Sequence, residues 1–126
     1  MDADRLKVPP FSWLPDDVRE RFAVWVGELK VDAGRHLAEQ GDYAYELFAI
    51  EDGKAEVLRD GEKIAELGPG DVFGEAGMLD DSMRSATVTA TSRMRLISLG
   101  HFEVKRLKKN APGVYRSIEE LVEERS

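Results

Sequence analysis

The chain has 126 residues, 42% hydrophobic and 34% charged, with 18 Lys and Arg against 25 Asp and Glu for a formal charge of −7. That length holds one hydrophobic core rather than two ordinary domains, and the composition is that of a soluble globular protein with no apolar run long enough to span a bilayer. Cysteine is absent and the only histidines are His36 and His101, so disulfides, thiolate nucleophiles and metal-ligand spacings all lack their residues and no metal is expected. The acidic balance repels polyanions at long range, which argues against nucleic acid as the main partner. Met1-Asp2-Ala3-Asp4-Arg5 contains no basic segment leading into an apolar one, so a cytoplasmic location is expected.

In chain order, Val18, Phe22, Trp25, Val26 and Leu29 form one apolar stripe at helical spacing and predict a helix over Pro15–Leu29. Pro15 suits its first turn, and Asp16 and Asp17 suit the positive end of its dipole. Trp13 and Trp25 read as packing residues. From Val31 to Leu99 short apolar runs alternate with Gly34, Gly41-Asp42, Asp52-Gly53, Asp60-Gly61 and Gly68-Pro69-Gly70-Asp71. Asp-Gly between apolar runs predicts a hairpin, because both central residues of a type I′ turn take positive φ. Ala86, Val88 and Ala90 alternate with Thr87, Thr89 and Thr91, the period of a half-buried strand. After Gly100 the helical period returns in Phe102, Val104 and Leu107, is interrupted at Ala111-Pro112-Gly113, and resumes from Val114 with Ile118, Leu121 and Val122 on one face.

The expected class is therefore mainly β with flanking helices: an eight-stranded antiparallel β-barrel of jelly-roll type, an N-terminal helix and two C-terminal helices. A single domain over 1–126 is expected, with a helical segment at 1–30, the barrel at 31–99 and C-terminal helices at 100–126. Lys105, Arg106, Lys108 and Lys109 make the start of the third part locally basic, which reads as a solvated helix face.

Residues 73–90 break the strand rhythm. Phe73-Gly74-Glu75-Ala76-Gly77 reads as a strand end, a glycine turn and the start of one helical turn, followed by a polar loop and a strand headed by Arg84-Ser85. The small residues Gly74, Ala76 and Gly77 let another group approach the free amides of a helix start, which favours an anion. Arg84 adds a permanently charged, bidentate partner for phosphate. On these residues alone, a small-anion site and an ordinary surface turn both stay open.

Phe-Gly-Glu, nine residues from Glu75 to Arg84, and then Ser85-Ala86-Thr87-Val88 resemble the phosphate-binding cassette of cyclic-nucleotide-binding domains, as found in catabolite-activator regulators, protein kinase A regulatory subunits and nucleotide-gated channels. Ala33-Gly34, Gln40-Gly41-Asp42, Gly53 and Gly70-Asp71 stand where that family keeps its turns, so the resemblance covers residues 15–115. It implies that Glu75 accepts a hydrogen bond from the ribose 2′-OH and that Arg84 pairs with the exocyclic phosphate oxygens. Backbone amides of the cassette, carried by Gly74, Ala76, Gly77, Ser85 and Ala86, would complete the cradle, and Val57 and Ile64 would line the base pocket. Ser85 implies cAMP in preference to cGMP, since threonine there accompanies cGMP. Three positions depart from the common pattern: Ala76 replaces leucine, Gly77 replaces alanine, and Met83 replaces proline. The last makes the loop before Arg84 costlier to order.

The resemblance further implies a cytoplasmic sensing module, not an enzyme and without a cofactor. Phe102, Val104 and Leu107 would form a hinge-facing stripe, and Tyr115 or Leu121 would act as a lid over the base or simply pack in the core. The C-terminal helices would offer a surface for a protein partner or a second copy. No helix-turn-helix follows, so this chain alone is not expected to bind an operator. The alternatives are a ligand-less pseudo-sensor used as an interaction module, or a fragment of a transcription regulator, channel or multidomain enzyme.

Overall fold

A computed structural model describes residues 6, 8, 11–42, 46–74 and 86–125, the side chains of 119 and 121–125 excepted. A short 3-10 turn at Phe11–Trp13 precedes helix α1 (Asp16–Ala23). Strands β1 (Gly27–Val31), β2 (His36–Ala38), β3 (Glu46–Asp52), β4 (Ala55–Arg59), β5 (Glu62–Leu67), β6 (Val72–Phe73), β7 (Thr87–Ala90) and β8 (Met94–Gly100) follow, and then helices α2 (His101–Asn110) and α3 (Pro112–Arg125). The strands form two four-stranded antiparallel sheets, ordered β1-β8-β3-β6 and β2-β7-β4-β5. This is the expected jelly-roll arrangement.

The two sheets differ in how they are covered, and the sequence pattern follows from that. In the first sheet Phe48 and Ile50 of β3, Phe73 of β6, and Met94 and Leu96 of β8 point between the sheets, where they meet Ala38, Ala55, Leu67, Val88 and Ala90 of the second. Their neighbours Leu47, Ala49, Val72, Ile97 and Leu99 point the other way. There they pack against Phe11, Leu14, Val18 and Phe22 near the N-terminus and Val104, Leu107 and Ile118 of the C-terminal helices. A sheet buried on both faces needs unbroken apolar runs such as Leu47-Phe48-Ala49-Ile50. The second sheet is covered on one face, so β7 alternates buried Val88 and Ala90 with half-buried Thr87 and Thr89.

Helix α1 is shorter than the stripe over Pro15–Leu29 predicts. It ends at Ala23, and Gly27–Val31 instead pairs with β8, Gly27 opposite Ser98 and Val31 opposite Met94. Gly27 is a poor helix residue, and it sits so close to β8 that a Cβ would lie 2.7 Å from the Ser98 Oγ. Val26 still packs with the helices, whereas Leu29 turns from its strand toward the inter-sheet core. Val26 is thus buried and Leu29 half-buried without a helix joining them. Trp13 is about half exposed, while Trp25 meets Phe22 edge-on with ring centroids 5.4 Å apart and carries the Arg106 guanidinium 4.3 Å from its own centroid.

The two Asp-Gly pairs separate. Asp60 and Gly61 both have positive φ, 54° and 83°, and close the β4–β5 hairpin with Arg59 opposite Glu62, as a type I′ turn should. At Asp52-Gly53 only the glycine has positive φ, and the connection leads from one sheet to the other rather than into a hairpin. A further reversal at Gly68-Pro69-Gly70-Asp71 has the type II pattern, with Gly70 at φ 92° and the Asp71 N–H donating to the Gly68 carbonyl at 3.0 Å. The Asp71 carboxylate accepts back from the Gly68 N–H at 2.8 Å, which locks this second crossing between sheets. The break at Ala111 falls as expected, but α3 starts at Pro112, where a missing N–H goes unnoticed in the first turn.

One buried hydroxyl yields a stability prediction. Thr89 Oγ1 is inaccessible and has no hydrogen-bond partner among the described residues, and such a group bears its desolvation cost without return. Thr89→Val keeps the β-branched shape suited to β7 and is expected to raise unfolding free energy by about 1 kcal/mol in urea titrations. A loss of that size instead would show that the hydroxyl is satisfied.

Candidate functional site

The segment expected to form the phosphate cassette lies in the chain between strands of different sheets. It leaves from Phe73 on the edge strand β6 of the first sheet and returns at Ala86 into β7, an inner strand of the second. Phe73 stacks on Phe48 of the adjoining strand, centroids 5.1 Å apart and planes 27° apart, which anchors the departure. Gly74 follows with φ 88°, a left-handed turn that a side chain would strain. Glu75, Ala76, Gly77, Arg84 and Ser85 lie outside the described residues. Ala86 is half-buried at the bend that starts β7.

Val57 and Ile64, expected on the wall of the base pocket, are placed differently from each other. Val57 is half-buried and packs against the inter-sheet core, with Val88 of β7 on one side and Ala65 of β5 on the other. Ile64 is not opposite Val57. The register runs Val57 to Ala65 and Leu58 to Lys63, leaving Ile64 as the extra residue of a β-bulge with 46% of its surface exposed. Ala65 stands opposite Val57 instead, because a bulge shifts the register by one residue and leaves no mark in a period-two pattern.

The C-terminal helices pack on the far side of the first sheet. Val104 and Leu107 are buried there, but Phe102 is 72% exposed and does not share their stripe. At about 100° per residue it falls roughly 140° around the helix from Leu107 and about 160° from Val104. Tyr115 packs against the helix-side core with Lys108 5.3 Å over its ring. Ile118 is buried as expected, and the side chain of Leu121 lies outside the described residues. Lys105, Arg106, Lys108 and Lys109 are all exposed.

Three polar residues missed in the sequence gather beside the end of the cassette. The Gln40 N–H donates to Thr87 Oγ1 at 3.0 Å. Its side-chain amide donates to Asp60 Oδ1 at 2.8 Å, and its side-chain carbonyl accepts from the Asp60 N–H at 2.9 Å. Gln40-Gly41-Asp42 was legible as a turn, but nothing local in the sequence marks a glutamine that reaches a residue 20 positions away. Among the described residues no group of three or more His, Asp or Glu is placed to hold a metal ion, and no helix is long and apolar enough to cross a membrane.

Comparison with known proteins accords with this frame. The cAMP-dependent protein kinase regulatory subunit of Schizosaccharomyces pombe is 33% identical over 112 residues, covering 88% of this chain but 27% of that protein. The chain thus spans about a quarter of the length of that curated relative. Among solved structures, the catabolite activator protein of Thermus thermophilus superposes with a TM-score of 0.78 at 26% identity, over 96% of this chain and 57% of the other. The regulatory domain of Toxoplasma gondii protein kinase A, solved with cAMP, has a TM-score of 0.83 over 97% of this chain and 48% of the other, a likeness of fold at 21% identity. The family model described as cyclic nucleotide-binding domain matches residues 28–110, more than half of the chain, from the second residue of β1 to the end of α2. That match shows that the chain belongs to the cyclic nucleotide-binding domain family.

Proposed function

We propose that this chain is a cyclic-nucleotide sensing and regulatory module that binds cAMP in preference to cGMP and responds through α2 and α3. The family match over residues 28–110 carries this reading, because it encloses Phe73-Gly74-Glu75 and Arg84-Ser85-Ala86 in their order and spacing. Arg84 pairs with the cyclic phosphate, Glu75 accepts from the ribose 2′-OH, and amides from Gly74 to Gly77 and at Ser85 and Ala86 complete the cradle. Val57, Ala65 and the bulged Ile64 flank the base, and Tyr115 or Leu121 of α3 closes over it. The module is regulatory rather than catalytic, in keeping with the regulatory subunit it resembles. The nucleotide acts only by binding one arrangement of the C-terminal helices more tightly than another. Their surface, with its exposed cations, offers the output to a protein partner or a second copy.

Titration calorimetry with cAMP and cGMP tests the reading. Saturable heat is expected with both, at lower concentration for cAMP. A chain that gives none with either nucleotide is not a sensor, and the fold then serves interaction alone.

A further inference from the structure

We infer that Gln40 is a positioning residue for the nucleotide site, holding the base wall and the cassette in register; the inference rests on the nucleotide reading above. Three elements meet at this one residue, two through its side chain and main chain together. Gln40 follows β2, Asp60 tips the β4–β5 hairpin that carries Val57, Ile64 and Ala65, and Thr87 opens β7 in the last part of the cassette. Asp60 is the one non-glycine among the described residues with positive φ, a left-handed conformation that aspartate tolerates and that a bracing partner holds in place. The two bonds from the Gln40 amide supply that brace, one to the Asp60 carboxylate and one to its N–H. The third bond, donated by the Gln40 main-chain N–H to Thr87 Oγ1, ties that supported tip to β7. Thr87 is also opposite Leu58, the neighbour of Val57. Distance between phosphate cradle and base wall is therefore set through Gln40, although it touches neither.

The bonds are directional, and that makes the test specific. Gln40→Glu keeps an acceptor for the Asp60 N–H but replaces the amide donor with a carboxylate facing the Asp60 carboxylate. Adding Asp60→Asn restores a donor on the other side of the pair, and asparagine tolerates the left-handed conformation. Calorimetry with cAMP and with cGMP, alongside thermal unfolding, is expected to show Gln40→Glu weakening cAMP binding about tenfold and narrowing the preference between the two nucleotides. The double variant is expected to return both affinity and preference to within about threefold of the parent. A merely structural glutamine would lower the unfolding temperature and leave the preference between nucleotides unchanged, and that result overturns the inference. So does an affinity in Gln40→Glu equal to the parent's. If the parent chain itself binds neither nucleotide, the sensing function falls first and the inference with it, a result distinct from normal binding by parent and variant alike.

Discussion

Arg84→Ala is expected to weaken cAMP binding roughly a hundredfold or more, about 3 kcal/mol, while changing unfolding free energy by less than about 0.5 kcal/mol. The asymmetry follows from charge. The chain is acidic overall, at −7, so its long-range field opposes an anionic ligand and the attraction has to be local. Backbone amides at a helix start offer partial charges, whereas a guanidinium offers a full one with two parallel donors matched to phosphate oxygens. Arg84→Lys keeps the charge and loses the fork, so an intermediate loss of about tenfold is expected. Calorimetric titration of the three proteins at one salt concentration, with urea unfolding as the control, gives the comparison. Equal affinity in parent and Arg84→Ala would place the phosphate elsewhere.

The largest expected loss of stability from a single methyl group is at Gly53. Its φ is 90°, and an added Cβ would lie 2.3 Å from the Arg93 carbonyl oxygen and 2.9 Å from the Met94 Cα, neither of which can swing aside as a side-chain end would. Gly53→Ala is expected to cost about 3 kcal/mol or more, the sum of left-handed strain and overpacking against backbone. Gly61 has nearly the same φ, 83°, but nothing within 4 Å of an added Cβ. Gly61→Ala should therefore cost only the strain, about 1 kcal/mol. Urea midpoints of the two variants measure the difference directly. Equal losses would mean that conformation alone matters at Gly53 and that β3, β4 and the start of β8 can separate there without penalty.

These two glycines also show where sequence and structure part. Both stand in Asp-Gly pairs between apolar runs, and locally they are the same signal. One closes a hairpin; the other carries the chain from sheet to sheet, because β4 finds its partners in β5 and β7 while β3 finds its own in β6 and β8. Helix α1 makes the same point. The apolar spacing from Val18 to Leu29 satisfies a helix, yet the open edge of β8 takes Gly27–Val31 as a strand and still buries Val26 and half-buries Leu29. Phe102 was grouped with Val104 and Leu107 by proximity in sequence and left exposed by the angle between them.

By itself the sequence determined the mainly β class, the two C-terminal helices and the turn glycines, and it holds the residue spacing on which the proposed roles of Glu75 and Arg84 rest. Each of these is either a local conformational requirement or a set of residue types at fixed spacing, and both are written in consecutive positions. Only the tertiary structure decided which strands share a sheet, which face each apolar run buries, the bulge that puts Ala65 rather than Ile64 opposite Val57, and the Gln40 bridge from Asp60 to Thr87. Those depend on pairings between residues far apart in the chain, where competition among partners rather than local preference selects the outcome.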